Sequence, residues 1–223
     1  MLAIDIWSDI MCPWCAVGYA RLQKALELLD GEIAATIRWM PFELDPTTPP
    51  QGTPKLERLQ TVYGRTPEEA EAMAQHMLGT AREAGFPLDY EGEEDRPSMM
   101  WNTLDAHKLL RWALLSRGPE VQTALKLALF EAHFRQRRKI SDRVVLCEIA
   151  GGIDGLSSEG AAQALTDPVL ETAVRAEQQQ ARGAGLSSVP TFVVASKFAI
   201  QGAQEPEALA DALRQIAQHE TAT

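Results

Sequence analysis

Residues 1–30, MLAIDIWSDIMCPWCAVGYARLQKALELLD, hold the two hydrophobic patterns that decide the fold of this chain. Apolar residues first alternate with other residues, as they do in a β-strand, at Leu2, Ile4 and Ile6. They then recur at the spacing of an α-helix, at Val17, Leu22, Leu26 and Leu29. The Cys-Pro-Trp-Cys tetrad of residues 12–15 therefore lies where a strand gives way to a helix.

The start of a helix is a chemically favourable place for two cysteines. The unpaired N–H groups and partial positive charge there favour a thiolate, which is the reactive form of cysteine. Pro13 suits the first helical position, because its φ is helical and its missing N–H would have been unpaired. Cys12 and Cys15 lie on one side of the first turn, close enough to form a disulfide. We expect Cys12, nearer the helix end and solvent, to attack a substrate disulfide and Cys15 to resolve the mixed disulfide.

Two other roles for the cysteine pair receive less support from the sequence. A structural zinc site needs four ligands, and the chain has no second Cys-x-x-Cys pair. Completing a site would require Cys147 and a histidine from the set His76, His107, His133 and His219. Two buried cysteines without chemistry would need neither Pro13 nor a helix start. The sequence therefore predicts a redox pair and no metal site, with simple packing for Cys147.

The composition indicates a globular protein, since 45% of the 223 residues are hydrophobic and can form a sizeable core. A net charge of −10 argues against nucleic acid and anionic membranes as partners. The first apolar run contains Asp5 and Asp9 and has no basic residue before Arg21, unlike a secretory signal or a membrane span. We therefore expect a cytoplasmic protein, in which disulfides are typically transient and catalytic.

The strand patterns fall at the two ends of the chain. A second strand is predicted at residues 33–39, and with the first strand and helix it makes a βαβ unit. Two short strands are predicted at residues 191–194 and 198–201, joined as a hairpin by residues 195–197. A last helix opens near residue 205, and its apolar stripe is Leu209, Leu213 and Ile216.

The middle of the chain is predicted to be helical, with no convincing strand between residues 55 and 168. The first helix there enters at Pro67 and ends at Gly85, because proline favours helix starts and glycine helix ends. Further helices are predicted over residues 101–117, 119–138 and 141–151. Ser141 is the expected N-cap of the last of these.

The alternation of strand-rich and helical regions suggests a division of the chain. Residues 45–54 are rich in proline and glycine and form a loop out of the βαβ unit, and residues 86–98 form an acidic loop. We predict a first part of an α/β domain at residues 1–47, a helical insertion subdomain at 48–168 and the second part of the α/β domain at 169–223.

Two motifs of the chain resemble the thioredoxin-like fold, namely CPWC after the first strand and Val189-Pro190-Thr191 before the third. With the helical insertion, the chain resembles the DsbA family. It is most similar to the FrnE-like branch, through WSDIMCPWC, NTLDAHKLLRWA and GLSSVPTFVVASKFAIQGAQ. The resemblance implies an α/β, thioredoxin-like fold, in which helices flank a mixed sheet, with a large all-α insertion. It also implies a thiol-disulfide oxidoreductase.

The resemblance further implies roles for the residues around the cysteines. Pro13 and Trp14 shape the active-site turn, and Pro190 is cis beside the disulfide. A substrate strand would bind at Val189, Pro190 and Thr191 by pairing with the Val189 backbone.

The chain departs from the family pattern at two positions. Strongly oxidising members carry a histidine between the cysteines, where this chain has Trp14, so a cation that favours the thiolate is missing and we expect a less oxidising protein. Many thioredoxin-like enzymes bury an acid six residues before the first cysteine, where this chain has Ile6. At this stage it is open whether Asp5 or Asp9 helps to deprotonate Cys15.

The favoured function is a cytoplasmic thiol-disulfide oxidoreductase acting on protein or small-molecule thiols and disulfides. The same resemblance extends to glutathione-dependent isomerases and kappa-class transferases, which typically have serine in place of Cys12. Apart from the redox-active disulfide, no cofactor is expected, although glutathione stays open. A monomer and a homodimer are both compatible with the sequence.

Two sets of residues carry the alternative functions. Asn102 and Thr103 resemble the segment that lines the pocket of the isomerases, but with His107 they equally fit a helix cap and a helix-face histidine. A groove around Trp14 and Val189 would suit a non-catalytic peptide-binding module.

Overall fold

The computed structural model describes residues 1–93 and 96–221, including all side chains of these residues except Val62 and Tyr63. Two residues of the predicted acidic loop, 94 and 95, and the last two residues of the predicted C-terminal part lie outside the described residues. No helix in the described part of the chain is long and apolar enough to cross a membrane.

A mixed sheet of four strands forms the centre of the fold, in the order β2-β1-β5-β6. The N-terminal strand β1 (Leu2–Ser8) pairs in parallel with β2 (Ala35–Pro41) and antiparallel with β5 (Thr191–Val194). The hairpin partner of β5 is β6 (Phe198–Gln201). All four strands were predicted, but β2 begins two residues later than expected because Leu2 pairs with Ala35.

Two long helices, α1 (Pro13–Leu28) and α9 (Pro206–Thr221), pack against each other beside the sheet. The apolar stripe predicted for the last helix is confirmed, because Leu209, Leu213 and Ile216 are all buried. The predicted hairpin is also confirmed, and Ala195 and Ser196 turn it with φ values of 52° and 59°.

Seven helices lie between β2 and β5 in the described part of the chain. They are α2 (Lys55–Tyr63), α3 (Pro67–Ala84), α4 (Leu104–Arg117), α5 (Pro119–Phe130), α6 (Arg143–Gly151), α7 (Ser158–Thr166) and α8 (Pro168–Gly183). The predicted bounds of α3 are confirmed: Thr66 and Glu69 form a capping box at its start, and Gly85 ends it with a φ of 86°. A π-helical turn, Glu131–Arg135, extends α5.

Three predictions for the middle of the chain were wrong. Two-residue strands, β3 (Thr53–Pro54) and β4 (Met99–Met100), form a small ladder where no strand was expected. The N-cap of α6 is Asp142 rather than Ser141, because its carboxylate accepts a hydrogen bond from the N–H of Val144 at 2.9 Å. Helix α7, which buries Ala161, Ala164 and Leu165, was not predicted at all.

The middle helices attach to the sheet at its β2 edge. Helix α5 packs against β2, and the buried Gln122 side chain accepts from Trp39 N at 2.9 Å and donates to Trp39 O at 2.8 Å. Helix α8, which we had assigned to the second part of the α/β domain, packs against α4 and β2. The division at residues 47 and 168 stays a prediction.

Candidate active site

The loop after β1 places the two cysteines at the start of α1. Cys12 is the N-cap residue, with extended backbone angles (φ −91°, ψ 109°), and Pro13 occupies the first turn. The N–H of Cys15 donates to the carbonyl of Cys12 at 3.1 Å, which closes that turn. The first turn has no acidic side chain that would offset the positive end of the helix.

Both cysteines of the pair are free and buried, whereas the tryptophan between them is exposed. Cys15 is fully buried and Cys12 is 5% exposed, whereas the indole of Trp14 between them is 40% exposed. We had expected Cys12 to lie nearer to solvent. It is the more accessible of the two, but only a narrow part of it reaches the surface.

The segment Val189-Pro190-Thr191 lies directly opposite Cys12. Antiparallel pairing of Trp7 with Thr191 brings the residues that follow β1 beside those that precede β5. The Val189–Pro190 peptide bond is cis, as the resemblance implied, and the Cys12 thiol donates to the Val189 carbonyl over 3.7 Å. The buried Thr191 hydroxyl donates to Ser188 O at 2.8 Å, which braces the turn.

The absence of a side chain at Gly18 on α1 allows this close approach. A Cβ atom at Gly18 would lie 2.9 Å from Pro190 Cγ and 3.2 Å from Phe192 Cζ. Both distances are shorter than ordinary van der Waals contact. The helix that presents the cysteines can therefore pack against the proline turn only with glycine at this position.

The environment of Cys15 disfavours its thiolate. Burial raises the pKa of Cys15 well above its ordinary value, and the hydrogen bond to Cys12 and the charge of Cys12 raise it further. Lys126 and a hydrogen bond from the Asp9 backbone act in the opposite direction. At neutral pH Cys15 is therefore a thiol that must be activated before it can react.

Asp9 is the buried acid of the site, and it is only 1% exposed. Its carboxylate accepts from Leu44 N at 2.7 Å and from Met11 N at 3.3 Å. Burial would raise the pKa of Asp9, but His107, the Leu44 N–H and the charge of Lys126 outweigh it, so the pKa is lowered. The side chain of Asp5, the other candidate, forms two hydrogen bonds with Arg38.

Lys126 on α5 is a site residue that the sequence did not lead us to name. Its side chain is fully buried and its ammonium makes no hydrogen bond with any residue that the structure describes. It lies 4.8 Å from the ring centre of Phe130 and 5.1 Å from that of Trp39. Burial lowers the pKa of Lys126 to about 8, although the charges of Cys15, Asp9 and Cys12 oppose this effect. The available signal was its helical spacing with the apolar residues Leu125, Leu129 and Phe130, which are buried on the same helix.

The segment with Asn102 and Thr103 lies beside the active-site loop, because Trp101 N contacts Met11 Sδ at 3.5 Å. The Asn102 side chain accepts from Leu104 N at 3.1 Å, as a residue at a helix start does, and Thr103 is buried. His107 is also buried, and its Nε2 lies 3.7 Å from Asp9 Oδ1 without a hydrogen-bond partner among the described residues.

Three basic side chains lie near the rings of Trp101 and Tyr90 and at the start of α2, directly after β3. Lys139 Nζ lies 5.9 Å from the Trp101 ring centre, and the Arg137 guanidinium lies 4.1 Å from that of Tyr90. Burial and the nearby Arg137 lower the pKa of Lys55, whose ammonium has no ion-pair partner in the described part of the chain. The cluster of Lys55, Arg137 and Lys139 is therefore a positively charged surface on an acidic protein.

No group of three or more His, Cys, Asp or Glu side chains is arranged to hold a metal ion among residues 1–93 and 96–221. Cys147, which with one of the four histidines would have had to complete a zinc site, lies partly buried on α6.

Comparisons with known proteins connect this site to a family. The family model described as "DSBA-like thioredoxin domain" matches residues 3–214. Among curated proteins, the chain is 26% identical over 194 residues to the uncharacterized protein YwbO of Bacillus subtilis (strain 168), which covers 86% of both chains.

Two solved structures are similar over nearly the whole chain. A probable DsbA oxidoreductase, SCO1869 from Streptomyces coelicolor, is 33% identical with a TM-score of 0.82, covering 96% of this chain and 89% of that one. The cytosolic disulfide reductase DsbM from Pseudomonas aeruginosa with GSH is 18% identical with a TM-score of 0.64, covering 97% and 99%. The predicted fold is thereby confirmed as a DsbA-like thioredoxin fold.

Proposed function

The chain belongs to the family of DSBA-like thioredoxin domains, and on that premise we propose that it is a thiol-disulfide oxidoreductase with Cys12 and Cys15 as its redox pair. One observation carries the proposal. Cys12 stands at the N-cap of α1, 3.7 Å from the Val189 carbonyl, with Cys15 buried on the same turn. In this arrangement a substrate can reach the sulfur of Cys12, while the buried sulfur of Cys15 is available to resolve the mixed disulfide.

Cys12 acts first in the proposed reaction. Its thiolate, favoured by the positive end of α1, attacks one sulfur of a substrate disulfide and forms a mixed disulfide, while the other substrate sulfur leaves with the electron pair. Cys15 then loses its proton and attacks the sulfur of Cys12. The Cys12–Cys15 disulfide forms, and the second substrate sulfur leaves and takes up a proton. The substrate has been reduced to two thiols and the protein oxidised.

The surroundings of the pair provide the binding surface in this proposal. An extended substrate segment pairs with the backbone of Val189, next to the Cys12 sulfur, and Pro190 and Thr191 hold that backbone in place. Trp14, which is 40% exposed, offers an apolar surface next to the cysteines. Pro13 keeps the first turn of α1 rigid.

We place the reaction in the cytoplasm and in the reducing direction. The cytosolic disulfide reductase DsbM from Pseudomonas aeruginosa has a similar fold, and Trp14 supplies no cation between the cysteines. The reduced form is then regenerated by a small-molecule thiol. The sequence stretches that resemble the FrnE-like branch support membership of that branch.

Glutathione is the proposed reductant, because that similar structure contains GSH and because this chain offers cations for its carboxylates. Lys139 lies 5.9 Å from the ring centre of Trp101, which contacts the active-site loop at Met11. The charges of Lys55 and Arg137 lie near each other. Substituting Lys55→Met should raise the KM for glutathione several-fold, whereas Lys197→Met on the distant hairpin should not. An unchanged KM in K55M would contradict this carboxylate site.

The decisive experiment is a redox titration in glutathione buffers, with tryptophan fluorescence and mass spectrometry as the two readouts. A reversible Cys12–Cys15 disulfide with a potential near about −270 mV would support a reductase, and one near about −120 mV an oxidant. The variant Cys15→Ser should accumulate the mixed disulfide on Cys12. Failure of the wild-type protein to form the internal disulfide would overturn the proposal.

Two alternatives predict different outcomes in the same system. A glutathione-dependent isomerase with a pocket at Asn102 and Thr103 would retain activity in Cys12→Ser. A non-catalytic peptide-binding module would bind peptides in that variant without any turnover in the wild type.

A further inference from the structure

Arg21 on α1 is a mostly buried arginine whose guanidinium binds the backbone of a distant loop. Its side chain is 14% exposed, and its Nη1 donates to the carbonyl of Ala203 at 2.6 Å. Its Nη2 lies 2.7 Å from Oε1 of Glu205, whose side chain is 65% exposed. An ion pair with so exposed a carboxylate contributes little to stability. The hydrogen bond from the charged donor to the Ala203 carbonyl is therefore the stronger of the two contacts.

The loop of residues 202–205, between β6 and α9, also supports the proline turn before β5. The N–H of Gly202 donates to the carbonyl of Pro190 at 2.8 Å, directly beyond the end of the β5-β6 ladder. The carbonyl of the preceding residue, Val189, accepts the hydrogen bond from the Cys12 thiol over 3.7 Å. Two consecutive carbonyls of the turn therefore bind the loop and the thiol.

One face of α1 contacts both the loop and the proline turn. Arg21 lies three residues after Gly18, so the two residues are on the same side of the helix. A Cβ atom at Gly18 would lie 2.9 Å from Pro190 Cγ and 3.5 Å from Ala203 Cβ. The contacts therefore form a closed path. It runs from Cys12 along α1 to Arg21, across to Ala203, and back through the proline turn to the thiol.

We propose that Arg21 is a positioning residue for the substrate-binding backbone of Val189, because it holds the loop of residues 202–205 and thereby fixes the proline turn opposite Cys12. The inference rests on the proposed function, since it identifies what supports the strand-pairing surface in that reaction. A peptide that pairs with Val189 depends on the position of this backbone, whereas a small disulfide needs only the sulfur of Cys12. Arg21 should therefore affect the binding of peptide disulfides selectively.

The test compares two disulfides that release the same coloured product, thionitrobenzoate, on reaction with the reduced protein. One is dithionitrobenzoate, and the other is an extended peptide whose cysteine forms a mixed disulfide with thionitrobenzoate. Each substrate takes two electrons from the Cys12–Cys15 pair, and both of its sulfurs are released as thiols. All proteins carry Cys147→Ser, so that only the pair reacts. The rate of release as a function of peptide concentration gives a half-saturation concentration and a limiting rate.

In Arg21→Met, the half-saturation concentration for the peptide should rise about three- to tenfold, the equivalent of one backbone hydrogen bond with the substrate strand. The limiting rate, and the second-order rate constant for dithionitrobenzoate, should stay within about twofold of the wild type, because the lost interaction is one of binding. Arg21→Lys retains a charged donor and should raise the half-saturation concentration less. An unchanged value in R21M, an equal rise in R21K and R21M, or an equal loss with both substrates would overturn the inference.

A second variant tests the same loop without changing Arg21. Gly202 has a φ of 79°, so Gly202→Ala strains the loop and should also raise the half-saturation concentration for the peptide, even if R21M does not fold. Gly31→Ala is the matched control, because Gly31 has a φ of 81° and a Cβ atom there meets nothing within 4 Å. A G202A protein with the peptide binding of G31A would contradict the support of the turn by the loop.

Two further outcomes separate this role from a structural one and from failure of the proposed function. Arg214 on α9 forms hydrogen bonds of 2.8 and 3.1 Å with Glu32, beyond the end of α1 that is remote from the cysteines. Arg214→Met should leave both reactions unchanged, and a selective loss of peptide binding in R214M would contradict the specific role of Arg21. A wild-type protein that forms no Cys12–Cys15 disulfide with either substrate would instead overturn the redox function itself.

Discussion

Trp14, the side chain between the two cysteines, sets the redox character of the pair at the scale of a single residue. It lies at the start of α1 and is 40% exposed, so a substitution there changes the charge beside Cys12 without opening the core. A histidine at this position adds a cation when protonated, and that cation favours the reduced, thiolate-bearing form.

We therefore predict that Trp14→His makes the protein more oxidising. At pH 6 the potential should become less negative by on the order of 30 mV, which corresponds to a tenfold change in the equilibrium with glutathione. Trp14→Phe is the control for loss of the indole. The difference in reduction potential between Trp14→His and Trp14→Phe should shrink at pH 8.5, where the imidazole is neutral. A difference that persists at pH 8.5 would argue against the charge as the cause.

The buried imidazole of His133 makes the stability of the folded protein depend on pH in the acid range. Burial, reinforced by Lys55 and opposed by Asp9, lowers the pKa of His133 to about 3. The unfolded chain takes up this proton near about pH 6.5, whereas the folded chain does not until about pH 3. Between these values the unfolded state binds more protons, so stability falls as the pH falls.

The expected slope from His133 approaches about 1.4 kcal/mol per pH unit between pH 6 and 3. Urea unfolding at a series of pH values measures it. His133→Gln should reduce the dependence of the free energy of unfolding on pH between about pH 6 and 3. His76 is an exposed histidine of α3, and His76→Gln should leave that dependence unchanged. An equal slope in the wild type and H133Q would show that carboxylates alone cause the acid sensitivity.

At the scale of secondary structure, two elements form the site: helix α1 and the proline turn before β5. They contact each other at Gly18. Alanine there would normally favour a helix by about 1 kcal/mol. A Cβ atom 2.9 Å from Pro190 Cγ must instead displace the turn, because neither a proline ring nor the helix backbone can yield easily. Overpacking of this kind typically costs 1–3 kcal/mol.

We predict that Gly18→Ala destabilises the protein by up to about 2 kcal/mol after the gain in helix propensity, and slows disulfide exchange at Cys12. Gly79→Ala on α3 is the matched control, since a Cβ atom there meets nothing within 4 Å. That variant should be unchanged or slightly more stable. Urea unfolding and the rate of dithionitrobenzoate reduction give the two readouts. A G18A protein as stable as G79A would contradict the close packing.

The elements that frame the site were predictable because their signals are local. The alternation in β1, the tetrad at the start of α1 and the short hairpin strands all depend on adjacent residues. Helix α7 and the β3-β4 ladder escaped prediction because they are defined by packing, α7 against α4 and α6, and β3 against β4. The buried Lys126 was missed for a related reason, since the sequence shows a charge on a helix but not the ring of Trp39 on β2 that its ammonium faces.

At the scale of the whole molecule, three of the middle helices, α4, α5 and α8, pack against the β2 edge of the sheet. The strand β2 is an edge strand, and an uncovered edge would leave backbone groups unpaired. The Gln122 side chain forms hydrogen bonds with both the backbone N–H and the carbonyl of Trp39, and the Trp39 indole N–H donates to Thr123 at 3.0 Å. Sequence separation of more than 80 residues hides such contacts from pattern analysis.

The coupling between α5 and β2 predicts that the sheet and the middle helices unfold together. Gln122→Met fills the same space but leaves two buried backbone groups of Trp39 unpaired, which should cost about 2–4 kcal/mol. Gln75→Met on the exposed face of α3 is the control and should change stability by less than about 0.5 kcal/mol. Urea unfolding of the wild type, followed by far-UV and near-UV circular dichroism, should give coincident transitions. Two separate transitions would mean that the helices and the sheet are independent units, and a Q122M variant as stable as Q75M would mean that Gln122 does not couple them.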